Sequence, residues 1–254
     1  MIKIGIIGGS GLDNPEILQE PIEVRIDTPY GKPSSGLTCG KIAGVEIAVL
    51  ARHGKKHTIR PSQVNFRANI WALKEYGCTH ILAATAVGSL REEIEPGHLV
   101  FPDQFIDFTR KREKTFYDED VVVHTPMAEP FCPNLRQLLA ETATKLNIQH
   151  HGNKTVITIE GPRFSTKAES HMFRAWNADV INMSTVPEVI LAREKKIHYA
   201  SAAMSTDYDC WREGEESVTW EMILNTMKKN ADRVLNLFLH VIPEIKEYED
   251  VCKS

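Results

Sequence analysis

Two aspartates stand two positions apart directly after a strongly apolar run, in Ser205-Thr206-Asp207-Tyr208-Asp209. In extended chain, residues two apart face the same way, so Asp207 and Asp209 are expected to point into one site. Two carboxylates in a partly dry pocket cannot both ionise cheaply, and one tends to keep its proton. Such a pair offers one donor and one acceptor. The plainer alternatives are exposed aspartates in a turn or a divalent-cation site.

Three other segments carry groups that bind anions, and each follows an apolar run. Gly8-Gly9-Ser10-Gly11 offers backbone N–H groups and a hydroxyl. Ala51-Arg52-His53-Gly54 offers the donor fork of a guanidinium and an imidazole. Thr85-Ala86-Val87-Gly88-Ser89 offers another hydroxyl among small residues. Each segment alone fits a tight turn, a surface ion pair or close packing, but their convergence favours a phosphate site.

The sequence gives little support to two other kinds of site, a dinucleotide site and a metal site. The glycine segment lacks the last glycine of a dinucleotide-binding fingerprint, and no Gly-Lys-Ser/Thr follows it, so a dinucleotide-dependent oxidoreductase is disfavoured. His53 and His57 stand four apart, but no third ligand of suitable spacing follows, and Pro61 places both before the next helix. We therefore predict no metal site.

The composition limits the kinds of partner and the cellular compartment that we predict. The 254 residues carry a formal net charge of -4, which gives no basic field for a nucleic acid. The basic run Arg110-Lys111-Arg112 is followed by Glu113, so we expect a solvated loop. No apolar stretch has the length of a membrane span. The five cysteines are widely spaced without a Cys-x-x-Cys pair, and Met1 leads directly into an apolar run unlike a signal peptide. These features predict a cytoplasmic protein.

The elements that must position these groups alternate between strands and helices. Near-continuous apolar runs predict strands, covered on both faces, at residues 2–7, 45–50, 79–84, 154–159 and 197–204. One helix is predicted to start at Pro61 and stop at Gly77, and another to start at Ser217 with an apolar stripe reaching Phe238. We predict a single α/β domain over residues 1–254, with a mixed, largely parallel sheet flanked by helices. Ligands of such sheets gather at the carboxyl ends of strands.

Seven blocks in order from residue 2 to about residue 241 resemble the trimeric purine nucleoside phosphorylases, especially members that cleave 5′-methylthioadenosine. The blocks are Gly-Ile-Ile-Gly-Gly-Ser-Gly-Leu, Ala-Arg-His-Gly, Asn-x-x-Ala-Asn-Ile-Trp-Ala-Leu, Ala-Val-Gly-Ser-Leu-Arg, Pro-Met-Ala-Glu-Pro-Phe-Cys, Ile-Glu-Gly-Pro-Arg-Phe-Ser-Thr and Thr-Asp-Tyr-Asp-Cys-Trp. Trp220 departs from the usual pattern, since a smaller aliphatic residue is expected there.

The resemblance implies a role for each of several residues. Phosphate would be held by Ser10, Arg52, His53, Thr85, Ala86 and Ser184. The base and ribose would be met by Phe164, Ser165, Met183, Asp207 and Asp209, with Asp207 acting at purine N7 and Asp209 at the exocyclic amine. The methylthio group would contact four side chains, which we call the methylthio wall: His57, Trp220, Ile223 and, from a neighbouring subunit, His124. Taken singly, Phe164 and Met183 would be core residues and His124 a surface histidine.

The implied reaction is phosphorolysis of 5′-methylthioadenosine to adenine and 5-methylthioribose 1-phosphate in purine and methionine salvage. Inorganic phosphate is a co-substrate and no cofactor is needed. The implied assembly is a homotrimer, and pairing of trimers into a hexamer stays open. One alternative is a broader purine nucleoside phosphorylase that also takes adenosine or 6-oxopurine nucleosides. A remoter one is a nucleoside-binding protein without catalysis.

Overall fold

The structure is a computed structural model that describes residues 2–8, 17–117, 120–212 and 220–246, with the backbone alone for 220–229. Its strands are β1 Lys3–Gly8, β2 Gln19–Val24, β3 Leu37–Ile42, β4 Val45–Ala51, β5 His80–Ser89, β6 Leu99–Phe101, β7 Gln104–Phe108, β8 His150–Gly152, β9 Thr155–Ile159, β10 Val180–Asn182 and β11 His198–Tyr208. Its α-helices are α1 Phe66–Tyr76, α2 Pro133–Lys145, α3 Lys167–Ala175, α4 Thr185–Glu194 and α5 Trp220–Val241.

One mixed sheet joins these strands around β5. Its main path runs β2-β3-β4-β1-β5-β10-β9-β7, and β11 pairs with β5 and carries β6 and β8 beyond it. The pairs of β1 with β4 and β5, of β5 with β11, and of β9 with β7 and β10 are parallel. Antiparallel pairing occurs where β10 meets the end of β5 and along β2-β3-β4. The predicted mixed, largely parallel α/β fold is confirmed.

Both faces of the central strands are buried, which explains their near-continuous apolar runs. In β1, Ile4 and Ile6 pack into one cluster with α2 and α5, whereas Ile7 packs into a second cluster with α1 and α4. In β5, Leu82 and Ile81 divide between the same two clusters. A strand between two layers of helices has apolar side chains on both faces. Its sequence therefore shows no alternation of polar and apolar residues.

The two longest strands continue further than predicted. β5 and β11 pair in parallel from their first residues to Gly88↔Asp207 and Ser89↔Tyr208. The segments 85–89 and 205–208, predicted to follow strands, are therefore the carboxyl-terminal halves of these strands. A register shift between Ser205 and Asp207 inserts one extra residue, and such a bulge re-aims the side chains beside it.

The first predicted helix begins later than expected. Pro61 starts a short 3-10 turn, Pro61–Gln63, and α1 itself begins after Asn65, whose side chain accepts a hydrogen bond from the Ala68 N–H at 3.1 Å. The prediction of a helix start at Pro61 is wrong because the asparagine cap comes later. The predicted stop is confirmed: Gly77 has φ 95°, a left-handed conformation that suits glycine. Ser217, the predicted cap of the last helix, lies outside the described residues.

The basic run is not wholly solvated. Arg110 and Lys111 are exposed, but Arg112 is buried. Its guanidinium donates to the carbonyls of Ile159 (3.2 Å), Glu160 (2.9 Å) and Val186, and lies 3.3 Å from the Glu160 carboxylate. The expectation of a solvated loop is wrong for Arg112, because the end of β9 and the start of α4 present carbonyls that need a donor.

Within the described residues, no helix combines the length and the apolar character needed to cross a membrane.

Replacing Arg112 by alanine is expected to lower the free energy of unfolding by about 2–3 kcal/mol, because buried acceptors lose a charged donor. Urea denaturation measures this loss. Arg110→Ala is the matched control: its exposed side chain should contribute less than about 0.5 kcal/mol. Equal losses in the two variants would contradict the anchoring role of Arg112.

Candidate active site

A cavity of about 490 Å³ opens at the carboxyl ends of β4, β5, β10 and β11. Eleven residues named from the sequence line it: Arg52, His53, His57, Thr85, Ala86, Phe164, Ser165, Met183, Ser184, Asp207 and Asp209. Four others do not appear there. Ser10 lies outside the described residues, the side chains of Trp220 and Ile223 are not described, and His124 is exposed on a separate segment.

Arg52 enters the cavity from the end of β4 and is held by a buried carboxylate. Its Nε and Nη2 donate to the two oxygens of Glu188, each at 2.8 Å, and Nη1 donates to the Ala84 carbonyl at 2.8 Å. The Tyr199 hydroxyl donates to Glu188 at 2.7 Å. Three of the five guanidinium N–H groups are used in this way, and the Tyr199 hydroxyl also lies within hydrogen-bond reach of the guanidinium.

Burial and the ion pair act in opposite directions on the pKa of Arg52. Burial favours the neutral form, but the Glu188 carboxylate outweighs it and raises the pKa above its usual value. Burial and the same carboxylate raise the pKa of Tyr199 well above its ordinary range. Arg52 therefore stays a cation and Tyr199 stays a donor across the physiological range.

His53 lies beside Arg52 with one ring nitrogen already engaged. Its Nδ1 is 2.9 Å from the Ile59 carbonyl oxygen, and the Ile59 N–H donates to the His53 carbonyl at 3.1 Å. Burial, and next the Arg52 cation, lower the pKa of His53 to about 4. The ring is neutral at pH 7. His57 lies beside it, with ring centroids 4.8 Å apart.

A buried asparagine organises the hydroxyls of the cavity. The Asn182 oxygen accepts from Thr158 at 2.8 Å, and its nitrogen donates to Thr185 at 2.6 Å and to Thr85 at 3.4 Å. Thr85 and Ser184 lie 2.7 Å apart, oxygen to oxygen. Because Thr85 accepts from Asn182, its own proton can go to the Ala86 carbonyl at 3.2 Å or to Ser184.

The two aspartates lie at the other end of the cavity, each beside a hydroxyl. Thr206 Oγ1 is 2.6 Å from Asp207 Oδ1. Ser165 Oγ reaches both oxygens of Asp209, at 2.7 and 2.6 Å. Ser165 thus orients Asp209, in addition to lining the cavity. A methyl group on Gly88 would lie 3.3 Å from Asp207 Oδ2 and 3.1 Å from Ile181 Cγ2, so a larger residue at this position would have to displace one of these side chains slightly.

A short loop carries Phe164 and Ser165 over the cavity. Arg163 donates to both oxygens of Glu169, at 2.7 and 2.6 Å, and Glu169 also accepts from the Thr166 N–H at 2.8 Å to cap α3. These hydrogen bonds, the one from Arg163 first, lower the pKa of Glu169 to about 2. Phe164 remains 47% exposed, so its ring edges the opening and is not the core residue that it resembles when taken alone.

Sequence reasoning missed Glu188, Tyr199, Asn182 and Thr206. Glu188 carries the clearest overlooked signal, since it is a lone acidic residue inside the apolar run Thr-Val-Pro-Glu-Val-Ile-Leu-Ala. A charge in such a run is rarely buried without a partner. The partner, Arg52, is 136 positions away, and only the fold brings them together.

Glu188→Gln is expected to raise the Kd of inorganic phosphate about 10-fold or more, because the amide keeps only one acceptor oxygen and Arg52 loses one hydrogen bond to a charged group, worth roughly 1.5–3 kcal/mol. Isothermal titration calorimetry measures the Kd, and thermal melting checks that the variant is folded. Glu194→Gln is the matched control on the same helix. Its carboxylate accepts from the Phe116 N–H at 2.8 Å, and phosphate affinity should not change. Equal affinities in the two variants would refute the positioning role of Glu188.

Comparison with known proteins identifies the family of this chain. The profile of the phosphorylase superfamily matches residues 3–243. The S-methyl-5′-thioadenosine phosphorylase of Xenopus tropicalis is 59% identical over 250 residues, which cover 96% of this chain and 89% of the relative. A methylthioadenosine phosphorylase from Schistosoma mansoni in complex with adenine has a TM-score of 0.92 and 43% identity, and the match covers 96% of this chain and 92% of that one.

A second solved structure holds a nucleoside. It is a point mutant of the adenosine/methylthioadenosine phosphorylase of Schistosoma mansoni in complex with methylthioadenosine, with a TM-score of 0.91, 42% identity, and coverage of 96% of this chain and 91% of that one. The resemblance drawn from the sequence blocks is confirmed. The chain belongs to the phosphorylase superfamily.

Proposed function

We propose that the protein cleaves 5′-methylthioadenosine with inorganic phosphate, giving adenine and 5-methylthioribose 1-phosphate. The observation that carries this proposal is a cavity with anion donors at one end and two oriented aspartates at the other. The relatives named as S-methyl-5′-thioadenosine phosphorylases and the neighbours with adenine and methylthioadenosine support the substrate.

One strand sets the distance between the two ends. Thr85 and Gly88 lie three residues apart on β5, and Gly88 pairs with Asp207. At about 3.3 Å per residue this separation is roughly 10 Å, the length of a purine joined to a ribose. A nucleoside lying along β5 would therefore bring its sugar to the anion donors and its base to the aspartates.

At the donor end, Arg52, Thr85 and Ser184 would position phosphate against the sugar, with Ser10 and the Ala86 backbone completing the set. Phosphate is already a nucleophile, so the reaction needs positioning more than activation, and it uses no cofactor in this proposal. As a phosphate oxygen bonds to C1′, the N9–C1′ bond breaks and its electron pair passes to the purine.

At the base end, Asp207 would give a proton to purine N7 and so stabilise the leaving group, a role that typically supplies about 10²–10⁴-fold in rate. The Thr206 hydroxyl, which lies 3.2 Å from the Val87 carbonyl, donates to Asp207 Oδ1 at 2.6 Å and so orients this carboxyl toward the base.

Asp209 would determine the selectivity for the purine base. With Ser165 donating to it, its oxygens present acceptors, and the exocyclic amine of adenine is a matching donor. A 6-oxopurine would set its oxygen against this carboxylate and leave an acceptor unsatisfied, at roughly 1–3 kcal/mol. The sugar would lie between the two ends, beside Met183, with His57 toward the 5′ position.

Phosphate-dependent release of base from 5′-methylthioadenosine, adenosine and inosine is the direct test. We expect methylthioadenosine to be cleaved and inosine to be disfavoured. In Asp209→Asn the preference for methylthioadenosine over inosine, as a ratio of kcat/KM, should fall about 10- to 100-fold, because the amide can donate to a 6-oxo group. Unchanged ratios of kcat/KM would refute the role of Asp209. No release of base from any of the three nucleosides would favour the non-catalytic alternative.

The active unit is proposed to be a homotrimer in which His124 of one subunit completes the methylthio wall of the next. Three consecutive exposed valines, Val121, Val122 and Val123, precede His124. Val122 is 77% exposed, and a contiguous exposed apolar run usually marks an interaction surface. Trp220 and Ile223 would form the rest of the wall.

Val122→Glu is expected to separate the trimer and lower the turnover of methylthioadenosine, because a charge would be placed in the subunit contact. Sedimentation equilibrium measures the mass, which should fall from three chains to one. Ile22→Glu is the matched control, since Ile22 is a similarly exposed apolar residue on the edge strand β2. A wild-type protein that is monomeric and fully active would overturn the shared site.

The proposed compartment is the cytoplasm. Within the part of the chain that the structure describes, Cys39, Cys78, Cys132 and Cys210 form no disulfide, which supports a reducing environment.

A further inference from the structure

Asp209 lies one residue beyond the carboxyl end of β11, and its main chain is held by a single hydrogen bond on each side. Its N–H donates to the Ser89 carbonyl at 3.0 Å, and its own carbonyl accepts from the Trp211 N–H at 2.7 Å. The carboxylate is therefore carried by a short turn at the end of the strand. Its position depends on what holds that turn.

The side chain of Trp211 returns to the same carbonyl. Its indole Nε1–H donates to the Ser89 oxygen at 2.8 Å, beside the N–H of Asp209. Ser89 is the last residue of β5, and it pairs with Tyr208 on one side and with Val180 on the other. Because this carbonyl is fixed within the sheet, the indole ties the turn that carries Asp209 to the central strands.

The indole ring is itself held on several sides. Trp211 is 8% exposed and packs in a buried cluster with Phe173 and Ile181, the second of which also lines the cavity. The guanidinium carbon of Arg174 lies 3.5 Å from the ring centroid, and Arg174 Nη1 donates to the Leu90 carbonyl at 2.5 Å. A buried indole N–H needs an acceptor, and a cation on the ring face stabilises one orientation of the ring.

We propose that Trp211 is a positioning residue for base selection, which holds Asp209 where its carboxylate meets the 6-substituent of the purine. This role rests on the proposed function, in which Asp209 accepts from the exocyclic amine. Ser165 orients the carboxylate itself, whereas Trp211 fixes the main chain that carries it. Without the indole N–H the turn is less constrained. The carboxylate then loses its hydrogen bond to a 6-amino group and can move away from a 6-oxo group.

Trp211→Phe removes the N–H donor and keeps an aromatic ring in the cluster. The measured quantity is the ratio of kcat/KM for 5′-methylthioadenosine to kcat/KM for 5′-methylthioinosine, two nucleosides that differ in the 6-substituent of the purine. This ratio is expected to fall about 3- to 10-fold, the usual effect of losing one hydrogen bond. The KM for methylthioadenosine should rise with little change in kcat, because the contact is made before and during the reaction. Partial unfolding would instead lower kcat for both nucleosides by one factor and leave the ratio unchanged.

A double-mutant cycle with Asp209→Asn tests whether Trp211 acts through that carboxylate. If it does, adding Trp211→Phe to Asp209→Asn should change the ratio by less than about twofold. Independent effects of the two substitutions would overturn the proposal, as would a wild-type ratio in Trp211→Phe. Trp176→Phe is the matched control, since Trp176 also packs on Phe173 but is 48% exposed, and this variant should keep the wild-type ratio.

Arg174→Gln gives a second test that leaves the indole in place. Arg174 is half-buried on α3, and the substitution removes the cation from the ring face while the N–H of Trp211 stays. A cation on an aromatic face contributes less than a buried hydrogen bond to a fixed acceptor, so the same ratio should fall about 2- to 5-fold. If Trp211→Phe does not fold, an unchanged ratio in Arg174→Gln overturns the proposal by itself.

Binding of the free bases separates the role of Trp211 from the phosphorylase function. Calorimetry gives the Kd of adenine and the Kd of hypoxanthine in the presence of sodium phosphate. Cleavage of both nucleosides with a wild-type ratio in Trp211→Phe would refute only the role of Trp211. Absence of cleavage, with a preference for adenine that falls in Trp211→Phe and not in Trp176→Phe, would refute only the phosphorylase function. Absence of both cleavage and preference would refute both.

Discussion

The buried ion pair between Arg52 and Glu188 is the interaction on which the anion end of the cavity depends. Both side chains are almost fully buried, and burying two charges is costly unless the geometry is excellent and the remaining groups are satisfied. Here the contact uses two parallel hydrogen bonds of 2.8 Å, and Tyr199 and the Ala84 carbonyl satisfy further positions. The pair carries no net charge. The cavity therefore meets an anion with directed N–H and O–H groups more than with a positive field.

The same logic extends to the hydroxyls and carboxylates around it. Asn182 fixes Thr85, Thr206 contacts Asp207, and Ser165 holds Asp209. Each group expected to meet a ligand is thus oriented by a second polar group that is anchored in the sheet or at the start of a helix. Preorganised dipoles of this kind need little rearrangement when charge develops, which is the main electrostatic advantage of a folded site over water.

Much of this could be predicted from the sequence, for identifiable reasons. Apolar runs mark strands because both faces of the sheet are covered, and motifs after those runs converge because parallel strands share one carboxyl edge. The ends of β5 and β11 were misjudged because small and polar residues at 85–89 and 205–208 imitate loops. Arg112 was misjudged because its acceptors are backbone carbonyls, which leave no trace in sequence.

Glu188 and Asn182 were not identified from the sequence, for a different reason. Each residue acts through a partner that is far away in the chain, and no local sequence pattern indicates the pairing. The roles of Phe164, Met183 and His124 came from family resemblance alone, since each has an ordinary structural explanation. The fold places the first two at the cavity and leaves His124 outside it, on a surface where a second subunit would have to bring it in.

The placement of protons unites the two ends of the cavity. In the proposed reaction, protonated phosphate becomes a sugar ester and loses its proton, while the purine gains one, so that the sum of protons is unchanged. His53, whose ring is neutral, lines the proposed phosphate end of the cavity, and the Asp207 carboxyl lines the proposed purine end. Thr85 and Gly88, which mark the two ends on β5, are roughly 10 Å apart, which is too far for direct transfer of a proton, so in the proposed reaction solvent would restore both ends between turnovers.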